Sequence, residues 1–171
     1  MPPTKLVFAL VTFFHDLFTA VWIGGLVMLA TAVMPATLKA LGRGPEAKRV
    51  LNAIQTRLSR WVYVSIVGLA VTGILLGRRS GGAGGLFQFA TPYQVALSIK
   101  HLLYLLMIAL ALVRSLYLAR PEPTPRSKKR SPEMTPRERL SAAALMLNLA
   151  LGVLVLLLSA YLAALSGEGP A

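Results

Sequence analysis

The sequence contains no cysteine and only two histidines in 171 residues. The absence of cysteine excludes disulfides, thiolate metal ligands, iron–sulfur clusters and the C-x-x-C-H attachment of a c-type haem. Acidic residues are also few, since six Asp and Glu stand against 18 Lys and Arg and give a net charge of +12. Few side chains therefore remain that could hold a metal or a cofactor.

Charged residues make up 14% of the chain and hydrophobic residues 56%, and the hydrophobic residues are gathered into four long runs. A transmembrane helix needs about 20 predominantly apolar residues. The runs predict spans at residues 6–34, 61–77, 93–118 and 140–165. The predicted fold is an all-α integral membrane four-helix bundle, with residues 1–171 forming a single domain and no large soluble domain.

The basic residues lie mainly in two segments between the predicted spans, at residues 39–60 and 120–139. Positively charged loops stay on the cytoplasmic side of a membrane. We therefore expect a multi-pass protein of the plasma (inner) membrane with both termini on the outer, periplasmic or extracellular, side. The basic segments should contact anionic lipids of the bilayer. This topology accounts for the positive charge, so no nucleic-acid partner is expected.

Two pairs of ionisable residues interrupt the apolar runs: His15 and Asp16 in the first, Lys100 and His101 in the third. Such residues inside a span are costly and are by default functional. A rise of about 1.5 Å per residue places both histidines at nearly the same depth. Asp16 and Lys100 then fall on the same flank of two facing helices. We expect two facing imidazoles beside an ion pair, if the first and third spans are neighbours in one protomer; a homo-oligomer interface is the other possibility.

Neutral imidazole suits haem iron, copper and zinc alike. A b-type haem fits the pattern, because a flat apolar ring fills the gap between two helices with His15 and His101 as metal ligands. Arg78 and Arg79 on the outer side would pair with its propionates. Six-coordinate iron favours electron transfer over catalysis, so we expect an electron carrier or a subunit of a membrane redox complex with a redox partner.

Two alternatives to the haem hypothesis stay open. The first is a copper transport or copper-handling protein, in which the same histidines bind a copper ion. The second is a non-catalytic structural or assembly subunit, in which the polar pairs only fix the register of the helices.

Three short motifs carry a resemblance to a known family. They are H-x-x-x-x-x-x-W-x-G-G, formed by His15, Trp22, Gly24 and Gly25, then M-P-A-T-L at residues 34–38, and S-R-W-V-Y-V-S-I-V-G-L-A-V-T-G-I-L-L at residues 59–76. They resemble the copper-resistance CopD-type membrane domain and its relatives, the HemJ-type haem-binding protoporphyrinogen oxidases.

In that broad group a first-span histidine followed by W-x-G-G and a lysine in a later span recur, and His15 and Lys100 match them. The resemblance adds Trp22, Gly24 and Gly25 to the candidate cofactor site and implies copper movement across the inner membrane or binding of b haem. The chain lacks the oxidase-like R-x-F-V-Y-H continuation and the methionine- and histidine-rich outer segments expected for copper. Oxidase activity is therefore not carried over.

Overall fold

The computed structural model describes residues 3–79, 87, 89–118 and 135–167, and these are almost entirely helical. The helices are α1 (Pro3–Met28), α2 (Met34–Leu41), α3 (Pro45–Arg79), α4 (Pro92–Val113) and α5 (Pro136–Gly167). Four stretches are long and apolar enough to cross a membrane: Pro3–Leu41, Pro45–Gly77, Pro92–Leu116 and Pro136–Leu165. The predicted all-α membrane bundle is confirmed. Which side of the membrane the termini face stays a prediction.

The helix starts follow from local sequence. Four of the helices, α1, α3, α4 and α5, begin at a proline, whose missing N–H costs nothing in the first turn. Before α4 the hydroxyl of Thr91 accepts a hydrogen bond from the Gln94 N–H at 3.2 Å. Before α5 Thr135 and Glu138 form a reciprocal capping box, with bonds of 3.3 and 3.0 Å. The chain turns into α3 through Gly42, whose φ of 66° favours glycine.

The first membrane-crossing stretch extends beyond the predicted end at residue 34. A π-helical turn, Leu29–Val33, links α1 to α2, and the Met34 N–H bonds to the Leu29 carbonyl. A π turn accommodates a proline because it shifts the hydrogen bonds around the missing N–H. The helix therefore continues past Pro35 to Leu41. The second crossing helix is also longer than predicted. Much of the basic segment 39–60 and the second span form one continuous helix, α3.

The bundle consists of two helical hairpins. The helix α1 packs mainly against α3, and α4 packs mainly against α5. The hairpins meet where Gly152 of α5 lies against Ile23 of α1 and Met107 of α4. At the side opposite to the termini, Lys48 of α3 and Glu138 of α5 form an ion pair at 2.6 Å. We call the side where α1 begins and α5 ends the termini side.

All four crossing stretches contribute to one apolar core. Its buried members are Trp22, Ile23, Leu26, Leu29, Val62, Leu69, Met107, Leu145, Leu151 and Val155. Many other large apolar side chains point away from the core, as expected for helices whose outer surfaces face lipid tails. The core lies between the polar residues and the α2–α3 turn, since His15 and Lys100 precede the core residues of α1 and α4.

Candidate functional site

The imidazole ring of His15 on α1 faces α3. Its Nδ1 lies 2.9 Å from the hydroxyl oxygen of Thr72 on α3. Thr72 is buried and donates its single hydroxyl hydrogen to the Gly68 carbonyl at 2.7 Å. The hydroxyl oxygen must therefore accept from Nδ1–H of the imidazole. In the neutral ring this leaves the lone pair on Nε2, which is the form in which histidine ligates metals.

Lys100 of α4 lies close enough to interact electrostatically with both His15 and Asp16. The predicted ion pair with Asp16 is not formed, because within the described residues Asp16 has no ion pair or hydrogen bond. The reason is geometric: Asp16 is exposed on the outer surface of α1, whereas Lys100 is half-buried. The three residues are near each other, but only His15 is fixed by a hydrogen bond to a neighbouring helix.

The geometry gives no support for a haem held between His15 and His101. The ring of His15 is joined to Thr72 of α3, and α1 packs mainly on α3 while α4 packs mainly on α5. The rings of Trp22 and Tyr104 are in contact, with centroids 5.7 Å apart. His15 lies seven residues before Trp22 and His101 only three before Tyr104, so the histidines are offset by about one helical turn. The haem site stays a prediction.

Trp22 belongs to the core. It is 1% exposed, and its ring meets Tyr104 edge to face at an interplanar angle of 69°. Tyr104 in turn donates its hydroxyl hydrogen to the Ile66 carbonyl of α3 at 2.6 Å. These contacts join α1, α3 and α4 in the middle of the bundle. The place of Trp22 in the motif is therefore explained by packing.

The two glycines of the motif have different surroundings. A Cβ on Gly25 would lie 2.8 Å from Leu58 of α3, so Gly25 lets the two helices approach closely. A Cβ on Gly24 would meet no atom of the described part of the chain within 4 Å. Arg78 and Arg79, the predicted partners of haem propionates, end α3, and their side chains lie outside the described part of the structure.

The sequence interpretation missed Thr72 and Tyr104. Thr72 stands within the quoted motif of residues 59–76, directly before Gly73, and a hydroxyl in an apolar run is the signal that was available. Tyr104 stands three residues after His101 on the same helix. Among the described residues no group of three or more His, Asp or Glu side chains could hold a metal ion.

Four membrane-crossing helices around polar residues define this chain as a multi-pass membrane protein. The family model of copper resistance protein D matches residues 52–162, well over half of the chain. The protein belongs to the copper resistance protein D family, and the predicted resemblance is confirmed. The match takes in Thr72, Lys100 and His101 but begins after His15 and Asp16. No curated protein and no solved structure matches the chain.

Proposed function

We propose that this protein handles copper, binding copper ions as cargo inside the membrane and moving them across it. The match to the copper resistance protein D family, which extends over most of α3, α4 and α5, carries the proposal. We propose that it lies in the plasma membrane with both termini outside, and the positively charged loops support this orientation. The termini side of the bundle would then receive copper first.

His15 is the residue we assign to copper binding. Its hydrogen bond to Thr72 fixes the ring and leaves Nε2 as the ligating atom. A ligating histidine almost always donates its other ring N–H in this way, and the donation orients the ring and raises its basicity. Thr72, whose hydroxyl is held by the Gly68 carbonyl, is the positioning residue.

The charges around His15 favour a site that binds and releases. The Lys100 ammonium repels a copper ion near the imidazole, and the Asp16 carboxylate attracts it. A transport site must bind well enough to load and weakly enough to let the ion go. Opposed charges beside one strong ligand meet that requirement.

Copper uptake into proteoliposomes tests the proposal. Vesicles loaded with a fluorescent cuprous chelator would be mixed with Cu(I) under reductant, and the initial rate compared with that of protein-free vesicles. We expect His15→Ala to lower the protein-dependent rate at least about tenfold. Thr12→Val is the matched control, because Thr12 is exposed one turn away on the same helix and, within the described residues, bonds only to the Phe8 carbonyl. It should keep the rate within about twofold.

Two outcomes would contradict the copper proposal. One is uptake no faster than in protein-free vesicles, or equal uptake by wild type and His15→Ala. The other is a visible spectrum with a Soret band and split α/β bands on reduction that both His15→Ala and His101→Ala remove. That second result would establish the haem hypothesis instead.

A further inference from the structure

The outer face of α1 is a groove with a carboxylate at one end. Asp16 lines it together with Thr19, Ala20, Ile23, Gly24, Val27, Met28, Thr31 and Ala32 of the first crossing stretch and Leu156 of α5. Most of these side chains are small, and Asp16, Ala20, Gly24 and Met28 follow each other at four-residue intervals along one helix face. The groove is not filled by any of the described helices.

Asp16 is in an unusual position for an ionisable residue in a membrane span. Such residues almost always face the bundle interior or pair with one another. Asp16 is exposed and has neither a hydrogen bond nor an ion pair within the described residues. Lys100 interacts with it only at a distance. An exposed carboxylate beside lipid tails lacks the polar partner that its burial in the membrane requires.

Gly24 supplies an independent observation on the same face. Three glycines of the bundle have a packing reason within this chain: Gly25 lies against Leu58, Gly68 against Phe18, and Gly152 against Ile23 and Met107. Gly24 has no atom of the described residues within 4 Å of where its Cβ would be. A glycine inside a helix is destabilising unless close packing needs it. Small residues on a membrane helix allow a second backbone to approach.

We propose that this groove is the docking site of a transmembrane helix from another membrane protein, and that the helix carries a Lys or Arg at the depth of Asp16. Charge complementarity selects the occupant, because a basic side chain would satisfy the exposed carboxylate. The docked helix must also lack bulky side chains where it crosses Gly24, two turns from its basic residue in the direction from Asp16 towards the end of α1. The inference does not depend on copper transport.

A second copy of this chain is disfavoured as the occupant. Two α1 helices packed about a twofold axis along the membrane normal would present the same face to each other. Their Asp16 carboxylates would then meet at the same depth and repel. A basic helix from a different protein avoids this repulsion.

Energy transfer in proteoliposomes tests the proposal with defined probes. The full-length protein would carry a donor dye, and synthetic Leu/Ala helices of about 20 residues an acceptor dye. Three peptides differ at one position, placed at the depth of Asp16: Lys, Gln or Leu. We expect the Lys peptide to bind about tenfold more tightly than the Leu peptide, with the Gln peptide between them. Asp16→Asn should remove the preference for Lys.

Two further variants separate charge from shape. Asp16→Lys should reverse the preference, so that a Glu peptide binds better than the Lys peptide. Gly24→Leu should weaken binding of the Lys peptide by filling the groove. Gly77→Leu is its matched control, because Gly77 of α3 also has nothing within 4 Å of its Cβ position but lies on another helix. It should leave binding unchanged.

Three results would overturn the inference. Equal binding of the Lys and Leu peptides would show that charge does not select the occupant. If the Asp16→Asn variant bound the Lys peptide as tightly as the wild type does, the peptide would be binding to another surface. The third result is energy transfer between differently labelled copies of the protein. If Asp16→Asn removed this transfer and excess Lys peptide did not reduce it, a second copy would be the occupant.

Discussion

The two faces of α1 carry similar residues in very different surroundings. On the inner face His15 bonds to Thr72, and Gly25 packs on Leu58. On the outer face lie Asp16 and Gly24, which are next to His15 and Gly25 in sequence but have no such contacts with any residue that the structure describes. A motif that looks like one unit in the sequence is thus divided between the bundle interior and its outer surface. Residues on the inner face should govern stability and hold copper, whereas those on the outer face should govern association, with Asp16 also attracting the ion at His15.

Trp22→Ala is expected to have the largest effect on stability. Trp22 is 1% exposed and its ring contacts Tyr104. Its removal leaves a cavity in the core and should lower the free energy of unfolding by about 3–5 kcal/mol. Unfolding in mixed detergent micelles measures this loss. Leu17→Ala on the exposed surface of the same helix is the control, and an equal loss there would contradict the assignment of Trp22 to the core.

Gly68→Ala is expected to come next. A Cβ on Gly68 would overlap with the ring of Phe18, so the ring or the helix must shift. Overpacking of this kind costs about 1–3 kcal/mol. Combining it with Phe18→Leu should restore part of the loss, since the smaller side chain makes room. Additive losses in the double-mutant cycle would argue against this contact.

Thr72→Val should have a smaller effect on stability and a specific effect on His15. The change keeps the shape of the side chain and removes the hydrogen-bond acceptor of Nδ1. We expect a loss of about 1 kcal/mol in the free energy of unfolding, together with weaker copper binding and slower uptake. Thr72→Ser, which keeps the hydroxyl, should retain uptake. If Thr72→Val transports copper like the wild type, Thr72 does not position the imidazole.

Gly24→Ala is expected to have the smallest effect and the opposite sign. Among the residues that the structure describes, no atom lies within 4 Å of the new methyl group, and alanine is favoured over glycine in a helix by up to about 1 kcal/mol. The isolated protein should therefore be slightly more stable. Gly25→Ala makes the same chemical change one residue away, where Leu58 must move, and should not be stabilising. Equal changes in the free energy of unfolding for Gly24→Ala and Gly25→Ala would contradict the difference in packing between the two faces of α1.

The apolar runs were sufficient to predict the fold class, because each is long enough to span a membrane and has few charges to break it. They could not predict which helices are neighbours, since lipid-facing and protein-facing surfaces of a membrane helix are equally apolar. The expected contact between the first and third spans was therefore a choice among several arrangements. In the structure the inner face of α1 packs mainly on α3, and the first and third spans are also in contact where the Trp22 ring meets Tyr104.

The same limitation explains the errors at the candidate site. His15 was identified because an ionisable residue stands out in an apolar run, but its partner Thr72 is one of many hydroxyls in the spans. A threonine that bonds its own helix, as Thr19 and Thr31 do, looks the same in sequence as one that also bonds a histidine. Only the packing of α1 on α3 distinguishes them.

The division of the bundle into two hairpins has a consequence for biosynthesis. The contacts between α1 and α3, and those between α4 and α5, each join segments that are consecutive crossings of the membrane. The ion pair of Lys48 with Glu138 instead links residues 90 positions apart. The first hairpin can therefore pack while the ribosome is still translating the second. Lys48 and Glu138 can meet only after the last helix has begun to leave the ribosome, so their pairing belongs to the final stage of assembly.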